Sequence, residues 1–86
     1  MKNEFQIKLE NANNIALFTQ KCSEFDCDVD YKIGRYTIDA KSIMGVLSIG
    51  IGKVVTVKIN TNDKKVVKDF YENIKLWITD EEKESE

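Results

Sequence analysis

Segments with a strand-like alternation of apolar and polar residues are interspersed in this chain with segments of helical apolar spacing. The order of these segments constrains the fold more than any other feature. Four segments alternate apolar with polar side chains, as strands with one buried face do: residues 4–10, 28–33, 36–40 and 54–60. Apolar residues recur at helical spacing in three further segments, which begin near Asn13, at Ser42 and after Asp63. The pattern predicts an α+β protein of order β-α-β-β-α-β-α. We expect one sheet face to meet water and the other to be covered by helices.

Local signals set the expected limits of these elements. Asparagine favours helix starts, and the first helix is expected over residues 13–24. The two middle strands are separated only by Gly34 and Arg35, which leaves room for a tight turn and predicts a hairpin. Ser42 is suited to cap a short helix that runs to about Ile49, where Gly50 ends it.

The last helical segment has the strongest amphipathic pattern in the chain. Its apolar stripe consists of Val66, Val67, Phe70, Tyr71, Ile74, Trp77 and Ile78. This stripe is expected in the core, although Trp77 lies close enough to the end of the pattern to be partly exposed instead. We therefore expect a single domain over residues 1–79 and a charged, frayed tail over residues 80–86.

Composition narrows the possible partners of this chain of 86 residues. Its net charge is −2 and its basic residues form no cluster, so nucleic acid is not expected as a partner. No apolar run is long enough for a membrane span and no signal-peptide pattern is visible, so we expect a cytoplasmic protein. Cys22 and Cys27 are expected to be reduced thiols, with Cys22 packed inside. No metal or cofactor site is expected, since the chain has no histidine.

Two segments carry a resemblance to a known family. Residues 39–48 read DAKSIMGVLS and resemble the regulatory-serine segment of HPr, the histidine phosphocarrier family of the bacterial sugar phosphotransferase system. Residues 16–20 read ALFTQ and look like the family's first-helix sequence after the active histidine. The distance between the segments and the element order also match. The resemblance implies an open-faced β-sandwich, with four antiparallel strands and three helices on one face.

The resemblance also shows which residues of the family's active site are missing. It places Asn11 at the active histidine, Asn13 at the arginine and Asn14 at the proline. An amide nitrogen is not a nucleophile, because its lone pair is delocalised into the carbonyl, whereas a neutral imidazole nitrogen can accept and release a phosphoryl group. The helix start leaves two interpretations open: the asparagines only cap the helix, or they also form a weak anion site.

The short helix after Ser42 has more than one interpretation. Ser42 is a helix cap, and by resemblance it is also the serine that an ATP-dependent kinase phosphorylates in many family members. The helix itself is apolar nearly all round, so it is either buried or a contact surface for proteins. As a contact surface its best candidates are Met44 and Leu47, together with Ile43. By resemblance the partners would be a phosphotransferase-system enzyme, the serine kinase or a transcription regulator.

These observations favour a regulatory, protein-binding member of the family without the phosphorylatable histidine, switched at Ser42. The alternative is a phosphocarrier that uses another residue, although Glu10 is the only acidic residue at the mouth of the first helix and is expected to point outward. An enzyme is not expected, because residues 50–53 do not form a phosphate-binding loop and no catalytic cluster is visible.

Overall fold

The computed structural model describes residues 2–81 and contains the seven predicted elements in the predicted order. Its strands are β1 (Glu4–Lys8), β2 (Val29–Ile33), β3 (Tyr36–Asp39) and β4 (Val54–Ile59). Its helices are α1 (Ala12–Ser23), α2 (Ile43–Ile49) and α3 (Lys64–Ile74), and a 3₁₀ turn follows at Lys75–Trp77. The order β-α-β-β-α-β-α is confirmed.

The strands form one antiparallel sheet of order β1-β4-β2-β3. One face of the sheet joins the helices in a single apolar core, and the largest strand residues in that core are Ile7, Val29, Tyr31, Val55, Val57 and Ile59. The alternate residues of the strands lie on the other face. There Glu4, Lys58 and Asp30 are paired across β1, β4 and β2. This is the open-faced arrangement that the alternating pattern predicts.

The hairpin between β2 and β3 is confirmed. Ile33 lies opposite Tyr36, so only Gly34 and Arg35 form the turn. Gly34 has a φ of 56°, a conformation that a two-residue hairpin turn requires and that glycine adopts without strain. Strand β3 pairs only with β2 and lies at one edge of the sheet.

Strand β1 is shorter than the alternating pattern indicates. It ends at Lys8, opposite Val54, because β4 begins there and no partner strand continues beyond it. Leu9 is nevertheless buried, and its carbonyl accepts a hydrogen bond of 2.7 Å from the N–H of Gly52. Helix α1 starts at Ala12 and ends at Ser23, one residue earlier at each end than predicted.

The last apolar stripe was predicted to form one continuous helix, but in the structure it does not. The α-helix ends at Ile74, and the 3₁₀ turn brings Trp77 into the core. Ile78 then pairs with Ile7 of β1, because a free strand edge offers hydrogen bonds that a longer helix would forgo. The stripe is core as predicted, Trp77 included, except that Tyr71 and the two ends of the stripe, Val66 and Ile78, are only half-buried.

The predicted tail is attached to the domain where the structure describes it. The N–H of Thr79 donates to the carbonyl of Gln6 at 3.0 Å, and the Glu81 carboxylate accepts from the Lys8 ammonium at 3.0 Å. Residues 82–86 lie outside the described residues. A domain boundary after residue 79 stays a prediction.

The two cysteines are free thiols, as predicted. Cys22 is buried on the core side of α1, and burial raises the pKa of its thiol to about 12. Such a thiol is almost entirely protonated at neutral pH and is unreactive. Cys27 is half-buried.

The helices within residues 2–81 are all too short or too polar to cross a lipid bilayer.

Candidate functional site

The start of α1 is the first place where the sequence predicts a functional site. Asn11 has an extended backbone (φ −159°, ψ 169°), and its side-chain oxygen accepts a hydrogen bond of 2.9 Å from the N–H of Asn14. Asn11 is therefore the N-cap, an interaction that contributes about 1 kcal/mol to stability in comparable helices. Asn13 is exposed at the same helix start, and Asn14 is half-buried.

The surroundings of this helix start carry mixed charge. Asn14 borders a surface depression of about 280 Å³ that Lys8, Glu10, Trp77 and Glu81 also line. The Lys8 ammonium lies 3.0 Å from a Glu81 carboxylate oxygen and 3.9 Å from one of Glu10. Glu10 is exposed, as the strand pattern predicted. Its carboxylate is thus exposed to solvent, and its ion pair with Lys8 contributes little at such a distance.

The start of α2 is the second predicted site, and the structure confirms that Ser42 caps it. The Ser42 hydroxyl oxygen accepts a hydrogen bond of 3.1 Å from the N–H of Gly45. A Cβ at position 45 would lie only 3.3 Å from that hydroxyl oxygen, so glycine leaves the serine uncrowded. The preceding Lys41 donates from its ammonium to the carbonyl of Phe25 at 2.6 Å, which ties the approach to α2 to the end of α1.

Helix α2 presents an apolar surface to solvent. Its exposed fractions are 74% for Met44, 43% for Ile43 and 40% for Leu47, while Val46 is buried against the core. We call these three exposed residues the α2 surface. Leu47 follows Met44 by three residues and Ile43 by four, so all three lie on one side of the helix. The alternative of a fully buried helix is therefore wrong.

An exposed leucine on α1 was not predicted from the sequence. Leu17 of α1 has an exposed fraction of 49%, and α1 packs against α2. The exposure of Leu17 could have been predicted from the sequence, because Leu17 lies outside the buried stripe of Ile15, Phe18 and Cys22. Single exposed apolar residues are common on protein surfaces, so Leu17 by itself does not mark a contact site.

Comparison with known proteins identifies the family. The family model described as "PTS HPr component phosphorylation site" matches residues 3–76. Among solved structures, HPr-C-His from Thermoanaerobacter tengcongensis is 30% identical, with a TM-score of 0.66 over 86% of this chain and 90% of that one.

Two further solved structures show the same fold at lower identity. The phosphocarrier protein HPr from Bacillus anthracis is 24% identical, with a TM-score of 0.62 over 81% of this chain and 93% of that one. The histidine-containing phosphocarrier protein of a mycoplasma is 16% identical, with a TM-score of 0.64 over 83% and 90% of the two chains.

The open-faced β-sandwich is thus the fold of the HPr-type structures. Because the family model spans most of the chain, the protein belongs to the HPr family of the phosphotransferase system. This family consists of phosphocarrier proteins and not of enzymes, so the prediction that the chain is not an enzyme is confirmed.

Proposed function

We propose that this member of the HPr family is a regulatory, protein-binding module that does not carry phosphoryl groups on histidine. The observation that carries the proposal is the count of histidines in the chain, which is zero. Asn11 takes the place of the family's active histidine, and Asn13 takes the place of its arginine.

The chemistry at Asn11 supports this proposal. A phosphocarrier residue must attack phosphorus and later leave, and an amide nitrogen does neither, because its lone pair is delocalised. The Asn11 side-chain oxygen is already engaged as the acceptor of the α1 cap. Replacing arginine by Asn13 also removes the planar fork of donors that suits phosphoryl oxygens.

The exposed α2 surface supports a protein-binding role. Met44 alone leaves most of its side chain in water, and burying such a side chain against a partner contributes roughly 1.5–3 kcal/mol. Methionine also adapts its shape to different partners. The proposed partners are those of the family: a phosphotransferase-system enzyme, the serine kinase or a transcription regulator, in the cytoplasm, with no role for nucleic acid or membrane.

The absence of phosphotransfer is tested with phosphoenolpyruvate and the first enzyme of the phosphotransferase system. We expect the intact mass of the protein to stay unchanged, because the chain offers no imidazole nitrogen. A histidine-containing HPr in the same reaction serves as the positive control and must gain one phosphoryl group. A gain by this protein that disappears in Glu10→Gln would establish the alternative, a carrier that uses a carboxylate. A stable gain at Asn11 would contradict the proposed chemistry outright.

Phosphorylation of Ser42 is tested with ATP and the serine kinase. We expect one phosphoryl group on wild type and none on Ser42→Asn, which removes the hydroxyl but keeps a good helix cap. The phosphate would add a charge of about −1.5 to −2 beside the α2 surface, enough to change which partner binds. Ser48→Ala is the matched control, since Ser48 lies at the other end of the same helix and is exposed. Modification that persists in Ser42→Asn would remove Ser42 from the proposal.

A further inference from the structure

An open surface cavity of about 470 Å³ lies between the β2–β3 hairpin and the end of α2. It is lined by Ile33, Gly34, Arg35, Tyr36, Ile38, Ser48, Ile49 and Lys53. The volume falls within the range of about 300–1,000 Å³ that small-molecule sites occupy.

The walls of this cavity are apolar and its charges are all positive. Ile33, Ile38 and Ile49 supply aliphatic surface, and Tyr36 adds a ring with an exposed fraction of 69%. Arg35 and Lys53 are the charged residues of the lining, and no carboxylate joins them. Three other surface depressions each include at least one carboxylate.

The two cations have no acidic partner in the part of the chain that the structure describes. Neither Arg35 nor Lys53 takes part in an ion pair or a side-chain hydrogen bond among residues 2–81. Arg35 is also the only arginine in a chain whose net charge is −2. Two unpaired cations beside one apolar cavity therefore make a local positive site on an acidic protein, and such a site attracts anions.

Lys53 has a structural explanation as well. Its side-chain carbon Cε lies 3.6 Å from where a Cβ on Gly50 would stand, so its stem packs beside the glycine that ends α2. A cation near a helix C-terminus is favourable in its own right. Arg35 lies at the tip of the hairpin and has no such structural role. A test at Arg35 therefore distinguishes anion binding from the structural explanation.

We propose that this cavity binds a small amphipathic anion: one phosphate or carboxylate group on an aromatic or aliphatic body. The guanidinium of Arg35 presents paired N–H donors that match the oxygens of such a group, and Lys53 adds a second charge. The body of the ligand would lie against the isoleucines and the face of the Tyr36 ring. This site goes beyond the proposed protein-binding role and does not depend on it.

The proposal is tested with phenyl phosphate, which combines one ring with one anionic group. Titration followed by amide chemical shifts should move residues of the hairpin and the end of α2, with a Kd that is roughly millimolar for so small a ligand. Phenol, which keeps the ring without the charge, and inorganic phosphate, which keeps the charge without the ring, should each bind at least about fivefold more weakly. Benzoate in place of phenyl phosphate distinguishes a carboxylate from a phosphate preference.

Variants locate the site. Arg35→Gln should weaken phenyl phosphate binding about fivefold, since a partly exposed charge contributes less than a buried one. Lys58→Gln is the matched control, because the substitution also removes one positive charge. It should leave the Kd unchanged, since Lys58 lies on β4, outside the cavity lining. The proposal is overturned if the two variants weaken binding equally, if phenol binds as tightly as phenyl phosphate, or if the shifts centre on Met44 and Leu47.

Discussion

Replacing Phe18 with alanine is expected to lower the free energy of unfolding by about 3–5 kcal/mol. The Phe18 side chain is completely buried on the core side of α1. Its ring centroid lies 5.7 Å from that of Tyr31 on β2 and 5.8 Å from that of Trp77, which it meets edge to face. Removing the ring therefore leaves a cavity where α1, the sheet and the 3₁₀ turn meet, and each of the three loses a contact.

The size of this loss matters because the domain is small. At roughly 0.05–0.15 kcal/mol per residue, a chain of 86 residues has a total stability of about 4–13 kcal/mol. Urea unfolding followed by circular dichroism measures the difference. The fluorescence of Trp77, the only tryptophan, provides a second probe. If Phe18→Ala does not fold, Phe18→Leu should show a smaller loss in the same direction.

Leu17→Ala is the matched control for Phe18→Ala. Leu17 is the neighbouring residue on α1, but about half of its side chain is exposed. Its removal should cost less than about 1 kcal/mol, as is usual for side chains at the surface. Equal losses for the two variants would mean that the core does not centre on Phe18.

Much of this fold follows from local rules that are visible in the sequence. Alternation places Tyr31 and Val57 on the covered face of the sheet, and each of them is buried. The Gly34–Arg35 turn is predictable because two residues between paired strands allow few conformations. Ser42 and Gly50 delimit α2 because capping depends on side chains within one helical turn.

Other parts of the fold depend on partners that are distant in the sequence. Local patterns do not specify the strand order, in which β4 lies between β1 and β2. Strand β1 ends early because of where β4 begins, more than forty residues away in the chain. Helix α3 ends at Ile74 because Ile78 pairs with Ile7, although the apolar spacing alone continues the helix.

The candidate sites differ in the same way: some depend on local sequence, and others on residues that are distant in the chain. The caps at Asn11 and Ser42 are local and could be predicted. The exposure of Met44 was expected only as one of two alternatives, because a helix that is apolar nearly all round gives no clear signal for its buried side. The cavity beside Arg35 was missed for a related reason, since it forms only when the hairpin and the end of α2 come together.

Replacing Met44 with aspartate is expected to weaken binding to a protein partner about tenfold or more while the domain stays folded. Met44 is the most exposed residue of the α2 surface, so a partner that covers it would bury a carboxylate in place of a thioether side chain. The fold should tolerate the change, because position 44 lies in the first turn of α2. An acidic residue near a helix N-terminus is favourable by about 0.3–1 kcal/mol.

The measurement is a calorimetric titration against each proposed partner: the first phosphotransferase enzyme, the serine kinase and the transcription regulator of the source organism. Leu76→Asp is the matched control, since Leu76 has an exposed fraction of 68% but lies in the 3₁₀ turn, outside the α2 surface. It introduces the same charge in place of an equally exposed apolar residue, so nonspecific effects of charge would appear in both variants. If wild type binds none of the three proteins, or if Leu76→Asp weakens binding as much as Met44→Asp, the α2 surface is not where this protein meets its partners. A loss confined to Met44→Asp, with unfolding unchanged, would mean that this HPr-family protein binds its partners through α2.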